Sequence, residues 1–296
     1  MRPHPVAGRE VTADRLFPVH IWLPSPVTPI LNFFATLAVL ALQGALYIPL
    51  RPYELTRKAS LLTDTPLNEQ ELSRLREIDT PTICNALEIV SPERRMVGFT
   101  VRHLYCAFPE LPPMVGYART ARVRAAASPP ACNQDQTAAR LAYYRYIEAG
   151  DGPTVMVIED IDSPPGFGSW WGEVHTNVHK ALGALGVVTS GSVRDLDMIA
   201  EGFQLLSGSV SPSHAWVHLV DCGGEVNVHG MVTRSGDLVH ADRHGAVIIP
   251  HDVARQVPEA AALCMRREKP VLDACKRGNF SVDMIEKAFA EAGEIH

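Results

Sequence analysis

The stretch WGEVHTNVHKALGALGVVTSGSVRDLD, residues 171–197, decides the fold. Its first part belongs to a helical pattern running from Trp170 to Leu185. Gly186-Val-Val-Thr189 is a short apolar run that reads as a buried strand closed by Gly191. Helix followed by buried strand is the unit of a mixed α/β domain. Ligands in such domains collect just beyond the carboxyl ends of strands. That is where Gly191, Arg194 and Asp195 stand. A glycine lets the chain turn sharply and approach a ligand. Arg194 offers a planar fork for a carboxylate, and Asp195 a hard oxygen ligand for a divalent ion such as Mg²⁺. Neighbours on a turn cannot readily form a bidentate pair with each other, so both are left to serve an anion and a metal. The competing reading is an arginine salt bridge at a helix start with Asp195 as N-cap. Chemistry alone leaves the two readings open.

Outward from this stretch the α/β pattern continues. Leu67 to Ile78 is charged and helical in period, and Thr80-Pro81 reads as N-cap and first residue of a second helix. Val115 to Arg124 alternates as a strand, Asp135 to Glu148 carries one apolar helical face, and Thr154 to Ile158 is a buried strand. Short strands are predicted at 203–206, 215–220, 225–228, 238–241 and 246–249, with turn signals at Gly223-Gly224 and Ser235-Gly236. Helices follow at about 251–267 and 281–291.

Composition excludes several classes. The chain has 296 residues, 46% hydrophobic and 20% charged, which suits a globular protein and not a disordered or fibrous one. Its net charge is −6, and it has no long Lys/Arg run, which argues against nucleic acid as a partner. Six scattered cysteines without a CxxC pair fit reduced thiols in the cytoplasm. One segment stands apart. Residues 21–50 carry no charge, and the proline-free part, 30–48, spans roughly 28 Å as a helix, close to a bilayer core. It is a candidate membrane anchor or signal segment, the alternative to a cytoplasmic location and the one route to membrane contact. Buried helix and translated upstream stretch are the plain readings, and the prolines at 18, 24, 26 and 29 argue against an orderly helix at its start.

The familiar nucleotide and hydrolase motifs are absent: no GxxxxGK[ST], no GxSxG, and GFGSWWG at 166–172 has its third glycine one position late. His175 and His179 are four apart, a spacing that can hold zinc. Thr176 stands where a catalytic zinc helix needs Glu, and the pair reads more simply as surface or interface histidines. Arg140, Tyr143, Tyr144 and Arg145 either shape a pocket or pack against a neighbouring subunit, and Trp170 and Trp171 are lid or core. Asp242 and His244 read as a tight turn before the last strand, with His244 a weaker catalytic candidate.

The quoted stretch, with GDLVHADRHGAVIIP at 236–250 and DTPTICNALE at 79–88, resembles the RraA-like family over roughly residues 78–268. That family includes the regulator of ribonuclease activity A and the class II, metal-dependent pyruvate aldolases. The resemblance implies a layered β/β/α sandwich of swivelling-domain type over 66–296, following an N-terminal extension over 1–65. It implies assembly as a homotrimer or hexamer with sites between subunits. The aldolase members carry an acidic residue, twenty residues, then Arg-Asp. Here twenty residues separate Glu173 from Arg194-Asp195, with Glu where Asp is frequent. By resemblance Glu173 moves protons and Arg194 binds the carboxylate and enolate of a pyruvyl group. Asp195 ligates Mg²⁺ or Mn²⁺, and the amides of Val174 and His175, with Gly191, hold the substrate. Glu268 is the candidate acid supplied to a neighbouring subunit. The implied activity is a lyase acting on a small oxo-acid, either 4-hydroxy-4-methyl-2-oxoglutarate or oxaloacetate. The alternative is a non-enzymatic regulator that binds a ribonuclease or another protein.

Overall fold

The computed structural model describes residues 66–129 and 136–296. The extension over 1–65, with its apolar segment, lies outside the described residues. Among those described, no helix is long and apolar enough to cross a membrane.

Among the described residues are six α-helices and eleven strands. The helices are α1 (Glu69–Arg76), α2 (Thr80–Val90), α3 (Gln136–Glu148), α4 (Glu173–Ala181), α5 (Val257–Cys275) and α6 (Val282–Gly293). The α1 start is a capping box. Asn68 Oδ1 accepts from the Glu71 amide at 2.9 Å, and Glu71 Oε2 accepts from the Asn68 amide at 2.8 Å. The cap of α2 is Asp79, not Thr80: its carboxylate accepts from the Thr82 amide, which moves Pro81 to the second position of the helix.

The central sheet runs β1 (Tyr105–Cys106), β6 (Gln204–Val210), β5 (Ala184–Val193), β3 (Thr154–Asp160), β2 (Met114–Arg124), β10 (Leu238–Asp242), β11 (Gly245–Ile249). The four strands from β6 to β2 are mutually parallel, and the outer ones antiparallel. Strand β7 (His218–Cys222) pairs with the second half of β2. Residues 98–106 hydrogen-bond first to β11, through Gly98 and Thr100, and then to β6 as β1, so the sheet curls back on itself. A separate hairpin of β8 (Val226–Val228) and β9 (Met231–Thr233) covers one face.

Strand alternation sorts the core into the expected layers. Val155, Val157, Val188, Leu206, Val239 and Ile248 point towards the hairpin side with Val226, Val228 and Met231. Their neighbours point to the helical side. At one end Leu238, Val247 and Ile249 pack on α1, α2 and α5. At the other, Met156, Ile158, Val187 and Leu205 pack with Tyr143 of α3, Trp171 and Phe203. The architecture is the expected β/β/α sandwich.

Three boundaries differ from the sequence reading. The helix expected over 170–185 is preceded by a strand, β4 (Ser169–Trp171), which pairs with Ser192 and Val193 where β3 has already ended. Strand β5 runs through Gly191 to Val193 because β4 gives its last residues a partner. The late helix begins at Val257 after a series of turns and continues through Pro270 to Cys275.

A candidate site at the carboxyl end of strand β5

The path from β4 into α4 and the path from β5 into the next turn lie side by side. The Arg194 amide donates to the Trp171 carbonyl at 2.9 Å, and the Glu173 amide donates to Asp195 Oδ2 at 3.3 Å. Glu173, Arg194 and Asp195, distant in sequence, are therefore neighbours. Gly172 makes this approach available. A Cβ there would lie 2.5 Å from Asp195 Oδ2 and 3.2 Å from Arg194 Cγ. The turn itself is made by Asp195, whose φ of 55° is left-handed, a conformation aspartate tolerates better than most residues. Gly191 does not make the turn. It lies inside β5, donates its amide to Thr189 Oγ1, and is packed so that a Cβ would meet Asp160 at 3.3 Å.

Asp195 precedes a short 3₁₀ turn at Leu196–Met198, but its carboxylate makes no capping bond there. The N-cap reading therefore fails. Its ion pair with Arg194 is a single contact, Nε to Oδ2 at 3.6 Å, with both side chains about one-third exposed (35% and 34%). Among the described residues, Asp195 Oδ1 has no protein partner. One hard, half-open carboxylate oxygen beside the start of a helix fits Mg²⁺ or Mn²⁺ held by a single protein ligand and water. It does not fit a zinc centre, which takes three or four protein ligands. No cluster of three or more His, Cys, Asp or Glu is placed to hold a metal among the described residues.

A cavity of about 430 Å³ opens beside Arg194, lined also by Arg140, Trp170, His175, Trp216 and His218. Its wall is an imidazole–indole cluster. The His175 ring lies 4.4 Å from Trp170 and 5.7 Å from His179, and His179 lies 4.6 Å from Trp171, centroid to centroid. His179 is fully buried, which overturns the surface-pair reading. It donates from Nδ1 to the His175 carbonyl at 2.6 Å and accepts at Nε2 from the Tyr143 hydroxyl at 2.8 Å. Both ring nitrogens are committed, so it cannot ligate zinc. Burial lowers its pKa to about 4, although the bond to the carbonyl pulls the other way. Burial chiefly, then the fields of His179, Arg140 and Arg194, lower that of His175 to about 3. His175 Nδ1 is buried with no hydrogen-bond partner.

The remaining expected residues fall as follows. Val174 is exposed in the first turn of α4, where amides lack helical partners. Glu268 lies exposed on α5, which packs on α2 and α6 rather than on the elements of this site. His244 belongs to the β10–β11 turn, where both its amide and Nδ1 meet Asp242 Oδ1. Tyr143 is core of this chain, not a subunit contact surface. The cavity floor at 214–218 was not legible: it carries no periodic signal and reads as part of a strand.

Comparison with known proteins bears on the family and the fold. A family model described as RraA-like, Aldolase/RraA, matches residues 80–248. An uncharacterized protein from Pseudomonas syringae pv. tomato has 22% identity and a TM-score of 0.56, covering 76% of this chain and 98% of its own. RraAS2 of Streptomyces coelicolor, described as an unusual member of the RNase ES inhibitor RraA protein family, has 20% identity and a TM-score of 0.54, covering 72% and 99%. A protein described among novel cellulases from gut-associated microbes has 16% identity and a TM-score of 0.57, covering 69% and 88%. Such unlike descriptions at these identities bear on the fold alone. No curated protein matches significantly. The family match spans more than half of the chain and includes both Glu173 and Arg194-Asp195: the chain belongs to the RraA-like family.

Proposed function

We propose that the chain is a divalent-metal-dependent carbon–carbon lyase. It cleaves a 4-hydroxy-2-oxo acid of the 4-hydroxy-4-methyl-2-oxoglutarate type to pyruvate, and decarboxylates oxaloacetate. The observation that carries this reading is the meeting of Glu173, Arg194 and Asp195 at the carboxyl end of β5, beside a cavity large enough for such an acid.

Asp195 would hold Mg²⁺ or Mn²⁺, whose charge, when bound, stabilises negative charge developing on the oxo-acid. Arg194 binds the carboxylate and the oxygen that becomes the enolate. The amides of Val174 and His175, at the positive end of α4, receive the carboxylate. The Glu173 carboxylate takes the C4 hydroxyl proton. C4 becomes a carbonyl as the C3–C4 bond breaks, and the bonding pair passes into the enolate. Proton return at C3 then yields pyruvate. Decarboxylation forms the same enolate without the hydroxyl step, so Glu173 matters more to cleavage. Glu268 would act on the site of a neighbouring subunit within a homotrimer or hexamer. The free cysteines among the described residues suit a reducing cytoplasm.

The test is pyruvate release from both substrates by the full chain with Mg²⁺, with EDTA, and with Asp195→Ala. Metal-dependent release from both, reduced about 100-fold or more by the substitution, is the expected result. A folded oligomer that releases pyruvate from neither would favour the second reading, a regulator of a ribonuclease, for which the Streptomyces neighbour's description speaks.

A further inference from the structure

The cavity beside Arg194 extends well past the residues the lyase reading uses. Its far part carries two polar side chains that the reading leaves unassigned. Arg140, on the solvent side of α3, has neither an ion pair nor a hydrogen bond among the described residues, yet it lines the cavity. An unpaired guanidinium at the mouth of a concave site is a ready carboxylate receptor. His218 opens β7 and is only 8% exposed. Its Nδ1 donates to the Trp216 carbonyl at 2.7 Å, which leaves Nε2 without a protein partner on a ring that lines the cavity. An open acceptor on a ring that lines a cavity is available to a ligand. Arg194 and Arg140 line the cavity together with His175, and the field of each guanidinium is felt at that ring.

We infer that this part of the cavity is a distal subsite in which Arg140 receives a second carboxylate of the substrate, while His218 Nε2, an acceptor, is open to a hydroxyl or a water beside it. The inference rests on the lyase reading for the orientation of the substrate. One acid group sits at Arg194 and the α4 amides, and the other at Arg140. Arg140 is a specificity-determining residue, and nothing in the reaction steps requires it.

The test is calorimetric titration of the full chain with Mg²⁺, using two ligands that are not turned over. Oxalate reaches only the Arg194 end. 2-Oxoadipate has the same oxo-acid head, a remote second carboxylate and no C4 hydroxyl to be cleaved. The expected result is that Arg140→Gln weakens 2-oxoadipate about tenfold or more while changing oxalate by less than about twofold. His218→Phe should change neither ligand by more than about twofold, since the free Nε2 accepts and a carboxylate has no proton to donate. Oxalate binding also reports that each variant is folded. Equal weakening of both ligands in Arg140→Gln, or no weakening of 2-oxoadipate there, overturns the subsite and leaves the lyase reading standing. Failure of the wild-type chain to bind oxalate overturns the lyase reading, and the subsite with it.

Discussion

Two histidines, fully buried His240 and partly buried His175, have opposite surroundings. His240, on β10, has every polar atom satisfied. Its Nε2–H points at the Leu75 and Ile78 carbonyls, at 3.2 and 2.9 Å, and its Nδ1 faces the Thr80 hydroxyl at 3.0 Å. Asp242 beside it accepts from the Thr80 and His244 amides. Together they clamp the α1–α2 junction to the sheet. His175, at the end where β5 stops, has a buried Nδ1 with no partner and borders a cavity. Asp195 beside it keeps one oxygen open. At these two residues the satisfied polar groups hold scaffold together, and the unsatisfied one borders a cavity that a ligand can fill.

The largest effect that would break this contrast is steric. In Gly172→Ala the new methyl must displace the Asp195 carboxylate, since 2.5 Å is far inside contact distance. The backbone there is extended, so no conformational penalty enters. Pyruvate release should fall about 100-fold, with the melting temperature changed by little. A loss of stability instead of activity would show that the close approach serves folding.

At the other end the effect should be thermodynamic. His240→Leu strands two carbonyls and a hydroxyl in the core, a loss of about 2–4 kcal/mol in urea unfolding. Turnover per folded molecule should be unchanged. A matching fall in turnover would mean that the two ends are coupled.

The pattern of what was legible follows the same division. Arg194-Asp195 after an apolar strand, the alternation of 115–124 and the helix start near Pro81 are local chemistry, and local chemistry can be read from a single chain, though the cap there is Asp79 and not Thr80. The helix placed over 170–185 swallowed β4 because Trp170 and Trp171 extend its apolar pattern. Only the pairing of Ser169 and Trp171 with the end of β5 makes them a strand. The depth of His179 depends on Tyr143, 36 residues away. Arg140 meets Trp216 and His218 in one cavity from a separate segment, and no spacing announces that.

Acid should act on the site end through His179. Its folded pKa, about 4, lies below the ordinary 6.5. Between those values the unfolded chain binds a proton that the folded chain does not, so stability is full above pH 6.5 and falls as pH drops towards 4. The expected loss at pH 4 is ~3 kcal/mol from this group. Burial depresses His240 in the same direction. Unfolding midpoints in urea from pH 7 to 4 should show the slope, and His179→Gln should flatten it. An unchanged slope in that variant would assign the acid sensitivity to other groups.

The smallest effect is the most discriminating, because its sign is opposite at the two histidines. His175→Phe removes a buried nitrogen that has no partner, keeps a flat ring against Trp170, and leaves the backbone amide of the α4 start in place. Removal of an unsatisfied polar group with its shape retained is neutral to stabilising, so the variant should gain about 1 kcal/mol at neutral pH. At pH 5 the gain should be larger, since the unfolded variant has no imidazole left to protonate. Pyruvate release should fall about tenfold as the cavity loses a polar wall beside Arg194. Stability gained with activity lost is the signature of a residue kept for its ligand. Stability lost, as at His240, would place His175 with the scaffold and move the boundary of the site to Arg194.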